Sequence, residues 1–543
     1  MLTRIRQEGF RQSKVMDTLG DLTDRIGPRL TGSANLRKAN DWTRDQLASW
    51  GLANAHLETW GPFGAAWAFE SISVRMVAPD VAQLYAIPRP WTPGTAGTVR
   101  GAAVKVTLAT KDDLDKNKGK LTGKILLIET PSPFAGAAQP SAVNTATSVP
   151  MLGTPHYSDK DLDDLFHYPV PGPGGARGGG GDEAGRGDRM RRMQFNNQLR
   201  DFLAEEKPLA VIATSTRHPD GIISVQSNGL TYGKGKHDAV TNLAMASEHY
   251  HRISRLLDRN VPVELELNVA TTFEEDAPAP ANTLAELPGT DPKLKDEVVM
   301  LGGHLDSWTG GTGATDNAVG CAVAMEAMRI LKAVDAHPRR TIRVALWSGE
   351  EQGLLGSAGY VEQHFASRPP PTDPEELKRP RFMWREAGRP LTVKPEHAKL
   401  AAYFNLDNGA GKIRGIFAQE NAAVVPIFER WLAPLKDLGV STVTMRNTTQ
   451  TDHMSFDGVG LPGFQFLQEE LDYMARTHHT NMDTVEHVKR EDVAQASVVM
   501  AWFVYNAAMS DQMLPRKPMP TTPQEARRER PAAREQAAPA AGK

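Results

Sequence analysis

The sequence predicts an α/β fold: a doubly wound, mostly parallel sheet with a β-rich domain inserted ahead of its first central strand. Three observations predict it. After Asn282, apolar runs of strand length alternate with longer amphipathic helices, the pattern of a parallel sheet covered by helices on both faces. Between Glu70 and Phe273 the texture is instead short β-rich runs parted by turn residues, with few helices. The 543 residues are 40% hydrophobic and 23% charged, which is globular usage. At roughly 100–200 residues per domain, the length allows about two to four domains.

Residues 1–69 read as a helical opening segment of the main domain. Val15, Met16, Leu19, Leu22 and Ile26 form one amphipathic stripe, and Ser33 is placed to cap a helix from Ala34 towards Trp50, stopped by Gly51. Residues 70–273 form the β-rich block, with strands expected in the runs at 98–108, 123–130, 208–214, 221–227 and 261–273. Within it, residues 171–187 hold nine glycines in seventeen positions, which predicts a mobile loop. It lacks the Gly-Lys-Ser/Thr ending of a phosphate-binding loop. Residues 274–512 carry the alternating pattern, with strands at 297–303, 341–347, 400–406 and 463–467, and helices at 318–334, 354–365, 425–438 and 492–508. The last 31 residues, 513–543, hold six prolines and almost no aliphatic residues, which predicts a disordered tail.

Charge and composition exclude several functions. With 62 Lys+Arg against 65 Asp+Glu, the net charge is −3, which lacks the basic field of a nucleic-acid or membrane-surface binder. No run approaches a membrane span, and the opening residues lack the apolar core of a signal peptide, so as written nothing exports the chain. The single cysteine, Cys321, lies among apolar neighbours of a predicted helix and reads as a core thiol. It also excludes an intrachain disulfide framework and a cysteine-based zinc cluster. Any metal must be held by histidines and carboxylates.

In an open α/β sheet, ligands bind beyond the carboxyl ends of the strands. Here those ends carry His304-Leu305-Asp306 followed by Asp316-Asn317, then Glu350-Glu351, Asp407-Asn408, and His478-His479 with Asp483. Each pair alone reads as a capped loop residue or a solvated charge. Four successive strand ends delivering such groups would crowd carboxylates into one crevice, where a cation relieves their repulsion. Two histidines with two or three carboxylates suit Zn²⁺, and Mn²⁺ or Co²⁺ by the same ligand logic. The set exceeds one tetrahedron, and two metals sharing a bridging carboxylate use it naturally.

The blocks GGHLDSW, TDNAVG, SGEEQGLLGS, FNLDNG and HTNMDT resemble, in order and spacing, the signatures of the M28 family of dizinc peptidases. Within it the chain most resembles the plasma glutamate carboxypeptidase (carboxypeptidase Q) branch. The resemblance implies a zinc-exopeptidase fold with an inserted protease-associated domain, and two Zn²⁺ per chain. It makes His304 and Asp407 ligands of one metal, Glu351 and His479 ligands of the other, and Asp316 their bridge. Glu350 becomes the general base for a metal-bridging hydroxide, and Asp306 the carboxylate that orients the His304 imidazole, with Asp483 in a similar part. His479 is favoured over His478 because it opens its block. Short peptides are the implied substrates, a homodimer the implied assembly, and a secreted or periplasmic location with the signal absent from this sequence the implied compartment.

No oxyanion donor is assigned. Asp452-His453 reads equally as pocket lining, polarising the scissile carbonyl, or as a buried hydrogen-bonded pair. The rival readings are a glutaminyl cyclase-like enzyme, which resembles a one-metal site, and a non-catalytic receptor or scaffold, which loses ligands. The intact five-ligand set argues against both.

Overall fold

A computed structural model describes residues 1–129, 158–166, 183–214, 220–227, 232–377, 384 and 389–519. Its first sheet runs in the order Ala53–Thr59, Ala281–Leu287, Thr341–Trp347, Val298–His304, Leu400–Asn405, Gly463–Gln468, Ile413–Phe417, Thr442–Thr444. The four strands from Thr341–Trp347 to Gly463–Gln468 are parallel, and the pairs at Ala53–Thr59, Ala281–Leu287 and Ile413–Phe417/Gly463–Gln468 are antiparallel. The expected mostly parallel sheet is thus parallel in its centre and mixed at its flanks. All the predicted ligands leave that parallel centre or the loops beside it.

Alternation within the strands sorts side chains to two faces. Val299, Leu301, Ile342, Val344 and Leu346 point to one face, where the helices Val319–Ala333 and Arg490–Met509 pack. Met300, Ala345 and Trp347 point to the other, against the helices Leu355–His364 and His453–Asp457. Each such large apolar side chain contributes about 1.5–3 kcal/mol when fully buried. Close backbone approach matters once here: a Cβ on Gly303 would stand 2.7 Å from Leu406 O. The expected helix at 425–438 is Val425–Leu432 followed by a tighter turn, Ala433–Leu438, with Pro434 at its start. Ser33 caps the helix Ala34–Ser49 as expected, accepting from Leu36 N at 3.2 Å.

Four flank strands, Ala53–Thr59, Ala281–Leu287, Ile413–Phe417 and Thr442–Thr444, are not legible in the periodicity. In Ala281–Leu287, Asn282 and Thr283 are buried, which looks unlike a strand until their partners are seen. Asn40 donates to Ala281 O and Thr283 Oγ1, and Asn282 donates to Gly356 O.

The second sheet spans Ala66–Ala78 to Glu264–Glu274, in the order Ala82–Gln83, Ala66–Ala78, Glu264–Glu274, Val99–Thr107, Ile125–Glu129, Ala210–Thr214, Asn242–Met245, Ala86–Pro88. Three adjoining pairs in it are parallel, and the helices Lys111–Asn117, Glu183–Glu206 and Ser247–Asp258 accompany it. The expectation of few helices fails: Lys111–Asn117 is short, the apolar stripe of Glu183–Glu206 is weak, and Ser247–Asp258 lays Tyr250 and Ile253 on the sheet. Lys111–Asn117 is instead fixed by a reciprocal cap between Thr110 and Asp113. The run 221–227 forms no strand of this sheet. It bridges the first domain at Ser224↔Thr480.

Of the expected glycine-rich loop, residues 183–187 begin the helix Glu183–Glu206, and 171–182 lie outside the described residues. The expected disordered tail is corrected over 513–519. Leu514 is buried, Arg516 donates to the carbonyls of His397 and Leu400, and Lys517 pairs with Asp457 at 2.6 Å. These bonds offset the ordering of a proline-rich segment. Residues 520–543 lie outside the described residues. Among the described residues, no helix is long and apolar enough to cross a membrane.

Candidate metal centre

The strand Val298–His304 ends on His304, whose Nε2 faces Asp316 Oδ1 at 3.2 Å and Asp407 Oδ1 at 3.3 Å. The other oxygen of Asp316 faces away from this group, 3.3 Å from His479 Nε2, which is itself 3.0 Å from Glu351 Oε2. The five residues therefore fall into two pairs, with one carboxylate between them. Glu350 Oε2 lies 4.0 Å from His304 Nε2. All six are buried or nearly so.

The loops that hold them are tied by hydrogen bonds. Asn317, next to Asp316, donates to Leu406 O and accepts from Gly320 N, fixing the turn that carries Asp316 to the neighbouring strand end. Thr315 donates its N–H (2.6 Å) and hydroxyl (2.8 Å) to Asp483 Oδ1. Asp483 thus braces the turn before Asp316 and touches no imidazole through a hydrogen bond.

Asp306 lies against His304, and its main chain and its carboxylate have different nearest partners. The nearest acceptor to His304 Nδ1 is the Asp306 main-chain carbonyl at 3.0 Å, while its carboxylate stands 3.7 Å away, beyond hydrogen-bond reach. That carboxylate accepts instead from the N–H of Glu350 (3.2 Å), the N–H of Glu351 (3.3 Å) and the hydroxyl of Thr31 (2.9 Å). It holds the two glutamates, and the carbonyl orients the imidazole.

Sequence reading missed Arg29 and Thr31, since the opening segment looks like scaffold. Arg29, fully buried, donates to the carbonyls of Leu305, Thr312 and Gly313 and so staples the loop between His304 and Asp316. An arginine in the run GPRLTGS, among small residues just before a capped helix, is the only signal that could have found it. His478 stacks on His479, ring centres 3.7 Å apart, and brings a ring nitrogen within 4.8 Å of ligand atoms of Asp316 and His479. His453 is the buried hydrogen-bonded residue of the two readings offered for it, with Nε2 at 2.9 Å from Gln419 Nε2 and 3.1 Å from Thr448 O. Burial holds it down to about 4. Asp452 beside it is fully buried, its oxygens without hydrogen-bond partners. Cys321 is a core thiol, pushed up to about 12 by burial and lying 3.0 Å from His304 O.

Electrostatics reflects the crowding. Burial opposes charge on both imidazoles, yet the carboxylates outweigh it: His304 is raised well above the ordinary histidine value and His479 to about 10. Burial likewise works against Asp316, but the two imidazoles that face its oxygens hold it well below the carboxylate range. Burial pushes Glu351 up to about 7 and Glu350 well above its ordinary value, with Asp407 and Asp452 pushing Glu350 the same way and His304 opposing. By themselves, these groups balance their charge with protons on the imidazoles.

The residues fit a divalent cation by a separate observation. His304 Nε2, Asp316 Oδ2 and Glu351 Oε1 are buried polar atoms without a hydrogen-bond partner. Leaving such an atom unsatisfied costs about 1–3 kcal/mol, and a cation at each of the two pairs would satisfy them. Imidazole nitrogens with carboxylate oxygens and no thiolate are a donor set for zinc. Trp308 stands edge-on to His479 and closes one side of a small pocket over Asp316, Glu351 and His479.

The chain resembles known proteins in sequence and in fold. The profile of peptidase family M28 matches residues 282–504, the span that holds all five paired residues and Glu350. Carboxypeptidase Q of Mus musculus is 25% identical over 514 residues, covering 94% of this chain and 88% of the relative. Among solved structures, a peptidase M28 precursor from Shewanella amazonensis SB2B superposes with a TM-score of 0.63 at 23% identity, over 96% of this chain and 98% of that one. A zinc aminopeptidase from Bacillus subtilis superposes with a TM-score of 0.53 at 16% identity, over 92% of this chain and 95% of that one. These likenesses to solved structures show a shared fold.

Proposed function

The chain belongs to peptidase family M28, and from that premise we propose that its strand-end cluster holds two zinc ions and trims short peptides from a free end. It is a zinc-dependent metallopeptidase of the carboxypeptidase Q type, an exopeptidase. The observation that carries the two-ion reading is the carboxylate of Asp316, with one oxygen 3.2 Å from His304 Nε2 and the other 3.3 Å from His479 Nε2. In this reading His304 and Asp407 hold one ion, Glu351 and His479 the other, and Asp316 serves both.

The chemistry the ions supply when bound is polarisation of the scissile carbonyl and acidification of the attacking water. Glu350 takes a proton from that water and returns it to the leaving amine, a role suited to a carboxyl whose burial raises its proton affinity. Asp306 keeps Glu350 and Glu351 in register by accepting both of their N–H groups. Restriction to chain ends is supported by the second domain, whose residues 221–226 run against the His479 loop.

The test compares Leu-peptides with their N-acetylated forms and follows digestion of an unfolded protein by mass spectrometry. Release of single residues or dipeptides with no internal fragments is expected. A preference for free α-amines marks amino-end recognition, and equal rates on blocked peptides mark carboxyl-end recognition. Early internal fragments would refute the exopeptidase.

A further inference from the structure

We propose that the second domain completes the metal centre, with Gln226 as a positioning residue for His479. The proposal rests on the reading of His479 as a ligand. His479 has a φ of 58°, in the left-handed region that a non-glycine residue occupies only when its surroundings hold it there. What holds it is the segment 221–226. Val225 N donates to His479 O at 2.8 Å, Asn481 N donates to Ile223 O at 3.1 Å, and Ser224 bridges Thr480 in antiparallel fashion. The Asn481 side chain adds two bonds, accepting from Ile223 N at 2.7 Å and donating to Gly221 O at 3.1 Å.

On the far side of the ring, the side-chain amide of Gln226 contacts His479 Nδ1 through the atom placed as Nε2, and the nitrogen and oxygen of an amide exchange places by a half-turn of the group. Its main chain is anchored in turn by Arg89, which donates to Gln226 O at 3.1 Å. Since Nε2 points at Asp316 and Glu351, a metal-binding His479 must carry its remaining proton on Nδ1. The amide of Gln226, turned so that its oxygen meets that proton, accepts it and fixes both tautomer and ring plane. The family profile begins at residue 282, so this contact comes from a part of the chain outside the matched span.

The experiment titrates metal-free full-length protein with Zn²⁺ against a chromophoric chelator, for wild type, Gln226→Ala, Gln226→Glu and His479→Ala. Circular dichroism and the unfolding midpoint of each metal-free variant report folding. Gln226→Ala is expected to weaken zinc about 10–100-fold at the same site that His479→Ala destroys, leaving the other site unchanged. Gln226→Glu, whose carboxylate accepts the Nδ1 proton more strongly, is expected to bind at least as tightly as wild type. Unchanged affinity in Gln226→Ala, equal weakening at both sites, or a Gln226→Glu no tighter than Gln226→Ala would overturn the proposal. If Gln226→Ala does not fold, a Gln226→Glu that binds more weakly than wild type overturns it. Should His479→Ala bind zinc as wild type does, it is the ligand reading that fails.

Discussion

Thr31 donates its hydroxyl to Asp306 Oδ2 at 2.9 Å, so a residue near the start of the chain supports the carboxylate that holds Glu350 and Glu351. Removing the hydroxyl in Thr31→Val should cost about 1.5–3 kcal/mol of stability, as for a hydrogen bond to a charged group. Asp306→Asn presents an amide donor to main-chain donors, and turnover should fall about 10–100-fold with zinc retained. Since the two residues share one bond, their effects on stability should couple in a double-mutant cycle. Strict additivity would show that the contact is energetically idle.

The adjacent glutamates should separate cleanly. Glu350→Gln is expected to keep both ions yet lose at least roughly a hundredfold in turnover, the lower range for a lost acid–base group. Glu351→Gln should release metal from the His479 side. A fully loaded Glu350→Gln enzyme with normal turnover would remove Glu350 from the mechanism.

A third prediction concerns pH and lies away from the centre. His364 is raised above the ordinary histidine value chiefly by its hydrogen bond to Glu58, with Nε2 2.8 Å from Glu58 and Nδ1 2.9 Å from Glu396. A raised folded value stabilises fully below about 6.5, the unfolded value. That stability is lost as pH climbs through the folded value. His364→Gln should therefore destabilise by about 1 kcal/mol at pH 6, between exposed and buried pairs, and by progressively less towards pH 9. Denaturant unfolding of zinc-loaded protein at both pH values measures it, and a penalty that grows with pH would contradict the assignment.

The central strands and their acidic or histidine-bearing ends are legible because fully buried parallel strands are written as continuous apolar runs, and a run that stops on His304 or before Asp407 announces a loop at the carboxyl edge. What escapes the sequence is whatever depends on partners far away in the chain. Asn282 and Thr283 look unsuited to a buried strand until Asn40 satisfies them. Arg29 looks like an ordinary surface arginine until the carbonyls of Leu305, Thr312 and Gly313 surround it. The resemblance alone pairs the Asp306 carboxylate with the His304 imidazole. Residue spacing does not reveal that its own carbonyl is nearer and that two main-chain N–H groups compete for the carboxylate.

Sharing of Asp316 between two zinc ions is read directly as zinc per chain, by elemental mass spectrometry on wild type, Asp407→Ala and Asp316→Ala. About two equivalents are expected in the wild type, as for a two-metal hydrolase, close to one in Asp407→Ala, and less than one in Asp316→Ala, since both ions lose a ligand there. Active wild-type enzyme carrying a single zinc, or Asp316→Ala retaining two, would contradict it.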